Sequence, residues 1–380
     1  MREIARWQNS YDVHSLDDIF TVGEDERHFI FDIVEELSAN KSDNLIIWGT
    51  YANALKCFRF LKQCDIHAKA CVVNEKYLNL SVNKTDVSDE FPLVSLEDYL
   101  NDNDNVDIII DFSFYKSEML REYSAKVRRV FVGDVMGVFI LDEPYIIKKD
   151  DISLRKEDIK RVYDSLADEL SRREYIDFIS QKIWGFYNKT YHDDQYFDSD
   201  IIAFGEKESY VDAGAFDGDS ILKFTELAGN YDSVYGFEMD PGNYLRLKDN
   251  CEELDRCFLH NKGVGEKKKI LKACFGMNSA SHISEQGNID VEIDSLDSIL
   301  GDIPVTFIKM DIEGAEYDAL KGAKHIIEKN RPKLAVCAYH KLEDLWKIPG
   351  IIQEYNPGYR LLFRNYHNSA SESVFYALAK

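Results

Sequence analysis

What the chain has little of narrows its function first. No apolar run approaches the roughly 20 residues that a membrane span requires. The seven cysteines (Cys57, Cys64, Cys71, Cys251, Cys257, Cys274 and Cys337) contain no C-x-x-C pair. A zinc site is therefore not expected, and an odd, scattered set fits free thiols in a reducing compartment. Residues 1–7 lack an apolar core and a cleavage pattern, so no signal peptide is expected and the cytoplasm is the expected location. Positive charge is also scarce. Lys and Arg total 46 against 69 Asp and Glu, a net charge of −23, which argues against nucleic acid or an anionic membrane face as partner.

What is present is ordinary for a soluble globular protein, with 45% hydrophobic and 30% charged residues. At 380 residues the chain exceeds one core, so two domains are expected. Residues 1–150 read as a small parallel α/β domain. Helical spacing at Phe29, Ile30, Ile33, Val34 and Leu37 precedes a buried strand, Leu45-Ile46-Ile47-Trp48. Helical spacing resumes at Leu55, Phe58 and Leu61, and further strands follow at residues 70–73, 106–110 and 130–132. Gly49 could open a dinucleotide loop, but Tyr51 and Ala54 stand where the second and third glycines belong. Tyr51 would obstruct a pyrophosphate, so a structural or substrate-positioning role is expected of this Rossmann-like domain. Residues 151–200 form a charge-rich connector, helical over 159–186.

Residues 201–380 carry the chemistry. The run Tyr210-Val211-Asp212-Ala213-Gly214-Ala215-Phe216-Asp217-Gly218-Asp219-Ser220 turns a short strand into a helix through two glycines four apart. Acidic side chains at such a turn repel a pyrophosphate but suit the amino group and sulfonium of S-adenosylmethionine. Glu238, ending the strand Val234-Tyr235-Gly236-Phe237, is placed to accept ribose hydroxyls. The strand Val305-Thr306-Phe307-Ile308-Lys309-Met310-Asp311 ends in charge, and Cys257-Phe258-Leu259-His260 and Leu334-Ala335-Val336-Cys337-Ala338-Tyr339-His340 supply two more strands. Residues 268–294 read as inserted β-structure. Residues 359–363 and 374–378 are strands joined by a polar loop too short for a helix, so they pair antiparallel.

Three spaced strand ends and a terminal hairpin look like a class I methyltransferase sheet. The run 308–316, followed by Leu320-Lys321-Gly322-Ala323, resembles the FkbM family of S-adenosylmethionine-dependent O-methyltransferases over roughly the C-terminal half. Residues 166–172 and Gln195-Tyr196-Phe197 also resemble family sequence before the catalytic domain, with packing the expected job and a lid over the substrate the alternative. Degenerate Rossmann-like domains precede the catalytic domain in some such proteins. The resemblance implies S-adenosylmethionine as cofactor, held by Asp212, Gly214, Ala215, Phe216, Asp217, Gly218, Ser220, Glu238, Met239, Gly263 and Asp311. Adenine is expected beside residues 261–264.

Methyl transfer from a sulfonium is an in-line displacement, and a sugar hydroxyl becomes a good nucleophile only when its proton is taken. His340 is the natural base by its intrinsic pKa, with a surface loop histidine as the bland alternative. Lys309 and Asp311, two apart and on one strand face, complete the expected catalytic set, Lys309 acting as base only if neutral. Glu313, Tyr339, His282, Arg364 and His367 are the expected acceptor contacts, Arg364 and His367 because family members carry basic and aromatic residues there. Glu313 could instead cap a helix at residues 315–327. No metal is expected; an ion, if bound, would take Asp311 with Glu313 or His340.

The expected activity is O-methylation of a sugar hydroxyl on a glycan precursor or nucleotide sugar, an acceptor class that rests on the resemblance alone. Metal-assisted methylation of a small natural product, and a non-catalytic carbohydrate- or nucleotide-binding scaffold, are the rival readings. The intact Asp212, Gly214, Gly218 and Glu238 set argues against the scaffold. A homodimer is left open.

Overall fold

The fold is taken from a computed structural model, which describes residues 1–5, 15–21, 28–78, 87, 89–112, 115–133, 149–185, 192–274, 282–283, 289–367, 370 and 372–379. The chain forms two compact units. The first comprises Met1–Lys156, Arg173–Tyr191 and His367–Ser371, and the second comprises Glu157–Arg172, His192–Tyr366 and Glu372–Lys380. The stretch 151–200 is thus shared between the units rather than standing as one connector. Phe186, the expected end of its helix, lies outside the described residues.

The first unit is built on six strands, β1 (Arg2–Ala5), β2 (Leu45–Gly49), β3 (Ala70–Val73), β4 (Leu93–Ser95), β5 (Val106–Asp111) and β6 (Val127–Val132). They lie in the order β1-β6-β5-β2-β3-β4, and every pair is parallel. β2 and β5 are buried along their whole length, in keeping with the apolar runs Leu45–Trp48 and Ile108–Ile110: helices cover both faces of such a sheet. β1 and β4 are not visible in the sequence pattern. Four residues with two charges, and three residues Leu-Val-Ser, are too short to show a period.

The loop after β2 turns inward. A Cβ on Gly49 would lie 2.5 Å from the Asp111 carbonyl oxygen, so this glycine serves the approach of β5. Tyr51 is fully buried, with its hydroxyl donating to the Phe91 carbonyl at 2.9 Å. At the other end of β5, the buried Asp107 accepts from Arg129 Nη2 at 2.6 Å and Nε at 3.0 Å, and also from Arg128. Burial pushes its carboxyl up, but the two guanidiniums outweigh that and hold it at about 2. Removing one member of so buried a pair strands the other.

Asp107→Ala should destabilise the first unit by about 3–5 kcal/mol at neutral pH. Because the folded pKa is depressed, the contribution of Asp107 is complete above the ordinary carboxylate range. It is lost as pH falls toward about 2. Denaturant unfolding at neutral and acid pH checks both points; equal neutral-pH midpoints for variant and wild type would remove the pair's structural role.

The second unit carries β7 (Glu208–Ala213), β8 (Tyr231–Phe237), β9 (Cys257–His260), β10 (Gly263–Val264), β11 (Lys269–Cys274), β12 (His282–Ile283) and β13 (Ile289–Asp294). It continues with β14 (Phe307–Met310), β15 (Lys333–Cys337), β16 (Tyr359–Asn365) and β17 (Ser373–Ala379). Seven of them form the main sheet in the order β16-β17-β15-β14-β7-β8-β9. β17 runs antiparallel between β15 and β16, while the remaining pairs are parallel. The expected inserted β-structure is present as the sheet β10-β13-β11-β12. Ser279, Ala280 and Ser281 lie outside the described residues, as does the side chain of His282.

Aromatic packing fixes the second core. Tyr210 stacks on Phe224 at 4.4 Å between centroids, with Phe197 and Phe307 at 6.0 and 5.2 Å from Tyr210. The segment around Leu166 covers the edge strand β16: Leu166 bridges to Leu361, and the Ala167 N–H donates to the Leu361 carbonyl at 2.8 Å. Packing is therefore what residues 166–172 do. The helix expected over 315–327 is two helices, Glu316–Lys321 and Lys324–Asn330. At the break, a Cβ on Gly322 would lie 2.1 Å from the Gly265 carbonyl oxygen.

Candidate active site

The strand order reverses at β7 and β14, and ligands of open α/β sheets bind beyond the carboxyl ends of the strands at such a point. A cavity of about 610 Å³ opens there. One wall comes from the turn after β7. Gly214 has φ +82°, and a Cβ on it would lie 1.8 Å from the Asp311 carbonyl oxygen, so only glycine lets the ends of β7 and β14 meet. Gly218, at φ +95°, starts the helix Asp219–Ala228 and is pressed against Cys251 Sγ, which a Cβ would approach to 2.9 Å.

Asp212 is fully buried in β7 beside its register partner Lys309 on β14. Its Oδ1 lies 2.9 Å from Lys309 Nζ, and its Oδ2 accepts from Ser220 Oγ at 2.5 Å. Lys309 also donates to the Gly214 carbonyl at 2.6 Å and sits 5.1 Å from the centroid of the Tyr196 ring. Burial works against its charge, but the carboxylates of Asp212 and Asp311 outweigh it and raise its pKa. Lys309 is thereby held as a cation, an environment that opposes a role as base.

Glu238, just past β8, accepts from the Asp240 N–H at 2.7 Å and the Phe216 N–H at 3.0 Å while facing the cavity. Each carboxylate oxygen keeps a lone pair for a ligand. Burial pushes this carboxyl up to about 7, against the pull of the two backbone donors. Phe216, Ser220, Met239 and Gly263 line the same cavity, as does Asp219. Asp217 and Gly218 do not line it, and Ala215 is buried beneath the turn with its N–H on the Phe237 carbonyl.

Across the cavity, Asp311 Oδ2 accepts from Tyr196 Oη at 2.7 Å and Oδ1 from Tyr339 Oη at 3.1 Å. Burial pushes the Asp311 carboxyl up, but Lys309, His340 and these hydroxyls hold it below the usual range. Behind it stands His340, which does not line the cavity. Its Nδ1 lies 3.0 Å from Glu316 Oε1, and its Nε2 lies 3.5 Å from Glu313 Oε2 and 3.6 Å from Asp311 Oδ1. Burial lowers the imidazole's pKa, but these carboxylates, Glu316 foremost, raise it to about 9. Glu313 lines the cavity at φ +55°, and no side chain caps the helix Glu316–Lys321.

The other expected acceptor contacts are placed elsewhere. Arg364 is buried against Asp168, Nη2 to Oδ2 at 2.9 Å, and donates to Ser171 Oγ at 2.7 Å. His282 pairs through its backbone with Cys274 in the inserted sheet, and His367 belongs to the first unit. Conversely, Glu316 and Glu372 were not expected at the site, and Tyr196, expected in packing or in a lid over the substrate, lines the cavity. Glu372 faces the cavity and accepts from Gln195 Nε2 at 2.8 Å; burial, with Asp311 beside it, raises it to about 8. Tyr196 and Glu372 sit outside any periodic element, where the sequence gives only residue type. Glu316 was legible only as part of a motif, since its spacing places it in a helix's first turn.

This strand order, with its inserted antiparallel strand and a cavity at the β7/β14 switch, is that of the class I methyltransferase fold. Residues 212–367, less than half of the chain, match the family model described as the methyltransferase FkbM domain. In fold the chain is similar to methyltransferase FkbM from Methylobacillus flagellatus, at 20% identity and a TM-score of 0.65, covering 96% of this chain and 100% of that one. An rRNA methylase from Streptococcus thermophilus matches 47% of this chain and 90% of its own at 16% identity, with a TM-score of 0.30. Precorrin-6y C5,15-methyltransferase from Geobacter metallireducens matches 48% and 85% at 12% identity, with a TM-score of 0.31. No curated protein matches the sequence. Among the described residues, no helix is long and apolar enough to cross a membrane.

The Glu238 environment generates a pH prediction. An ionised Glu238 is the better acceptor for ribose hydroxyls, and its pKa of about 7 leaves it mostly protonated at pH 6. S-adenosylmethionine affinity should therefore rise about tenfold from pH 6 to pH 8. In Glu238→Gln the rise should vanish. Calorimetry at both pH values measures this, and a pH-independent wild-type affinity would contradict it.

Proposed function

We propose that the chain methylates a hydroxyl of a sugar, carried on a glycan precursor or nucleotide sugar. The observation that supports this most is the joining of two polar walls by one cavity: the Glu238 side and the side formed by Asp311, Tyr196, Tyr339 and Glu372. Carboxylates and phenols at fixed distances suit an acceptor that presents several hydroxyls.

The donor side fits an adenosyl group by its chemistry. Gly214, Glu238, Met239 and Gly263 line the cavity, where Glu238 would hold the ribose hydroxyls, Met239 and Gly263 would flank the adenine, and the Gly214 turn would meet the amino-acid end. When bound, S-adenosylmethionine supplies a methyl whose bond to sulfur breaks, its electron pair going to sulfur, as the acceptor oxygen bonds to it. Lys309 holds the turn through Asp212 and the Gly214 carbonyl. Asp311, kept ionised and facing the cavity, takes the acceptor's proton. Tyr196 and Tyr339 fix the angle of its carboxylate, and His340 braces it from behind. His340 thus becomes a positioning residue, and Asp311 the base.

The first unit we read as structural or substrate-positioning, since Tyr51 and the Gly49 contact fill the loop after β2. The setting we infer is the cytoplasm.

Asp311→Asn should lower single-turnover methyl transfer by about 10²–10⁴, the range of a general base, with S-adenosylmethionine affinity within a few-fold of wild type. Transfer at the wild-type rate would exclude Asp311 as base. A panel of nucleotide sugars and small hydroxylated compounds tests the acceptor; methylation of the small compounds alone would refute a sugar.

A further inference from the structure

Behind the cavity wall lies a group of side chains that donor binding does not use. Glu316 is fully buried. Its Oε1 accepts from the Ile312 N–H at 2.9 Å, while its Oε2 has no hydrogen-bond partner among the described residues. The side chain of His340 is only 10% exposed, and its contacts to Glu316, Glu313 and Asp311, at 3.0, 3.5 and 3.6 Å, lack hydrogen-bond geometry at either ring nitrogen. Asp344, also buried, repels Glu316.

Four carboxylates therefore gather around one imidazole. An oxygen left bare at full burial costs free energy unless a cation or water completes it. Ligand atoms from Asp311, Glu316 and His340 lie within 4.8 Å of one another, close enough for one ion to reach all three at ordinary bond lengths of about 2.0–2.3 Å. Two carboxylate oxygens and one imidazole nitrogen are a donor set for a divalent first-row ion.

We propose that Asp311, Glu316 and His340 form a divalent-cation site, filled by an ion such as manganese(II) and open to the acceptor through Asp311. The expectation of no metal is revised by Glu316, and Glu316 takes the place given to Glu313. The ion neutralises the buried carboxylates and fixes Asp311. That second effect rests on the methyl-transfer reading; ion binding does not.

The test titrates the full chain, stripped with chelator and checked for native fold by circular dichroism, with manganese(II) followed by electron paramagnetic resonance. One ion per chain should bind. Glu316→Gln, which keeps the acceptor for Ile312, and His340→Ala should each weaken binding by at least about 10–100-fold, the loss that even outer-shell partners produce. S-adenosylmethionine binding without saturable manganese binding would overturn the site and leave the methyl-transfer reading standing. Manganese bound equally by wild type and both variants would also overturn it. Manganese binding lost in the variants, by a wild type that binds no S-adenosylmethionine, would uphold the site and sink the other reading.

Discussion

The ion pair between Lys309 and Asp212 is the constraint on which the site depends. The two residues are register partners on adjacent strands, and both are buried. A charge at that depth is tolerable only with its partner in place. Any register slip of β14 against β7 would separate them and leave two buried charges unpaired. The pair therefore fixes how far β14 runs past β7, and hence where Asp311 emerges. Lys309 adds a bond to the Gly214 carbonyl, so the same cation orders the turn that faces the cavity. The two walls of the cavity are referenced to one ammonium group.

That common reference explains how three acidic side chains on one cavity reach different charge states. Glu238 receives two backbone N–H bonds, and burial still raises it to about 7. Asp311 is only half-buried, and the ammonium and imidazole on either side keep it ionised. Glu372, beside Asp311, then carries the repulsion and is raised to about 8. Two neighbouring carboxylates whose environments push them apart are the arrangement in which one can take a proton while the other keeps its own. Burial sets the scale, and the positions of Lys309 and His340 decide which acid is ionised.

Much of this was legible in the chain. Buried parallel strands announce themselves by short apolar or β-favouring runs ending near a glycine or an acidic residue, which is how β2, β5, β7, β8 and β14 could be found. The short loop before β17 forced an antiparallel pairing, and so the class of sheet. Periodicity fails where an element is shorter than its own period, as at β1 and β4, or where a glycine interrupts a helix for a tertiary reason, as Gly322 does against Gly265. The site divides in the same way. Glu238 and Asp311 end strands and could be named. Tyr196 and Glu372 reach the cavity from irregular segments, and their residue types alone say nothing of where they point.

Arg364 and His340 show the remaining gap. Both are basic or titratable residues near strand ends, and sequence position gives them equal standing as site residues. What separates them is which carboxylate lies opposite. Arg364 meets Asp168 on the segment that covers the edge strand, so its charge is spent on holding that segment. His340 meets Glu316 and Asp311 behind the wall of the cavity, so its ring bears on the acid that faces the cavity. Partner choice of this kind is set by strand order and by the turn into a helix, both long-range properties of the fold. A residue's chemistry can be read from one position in a sequence, but its function depends on the group the fold sets against it.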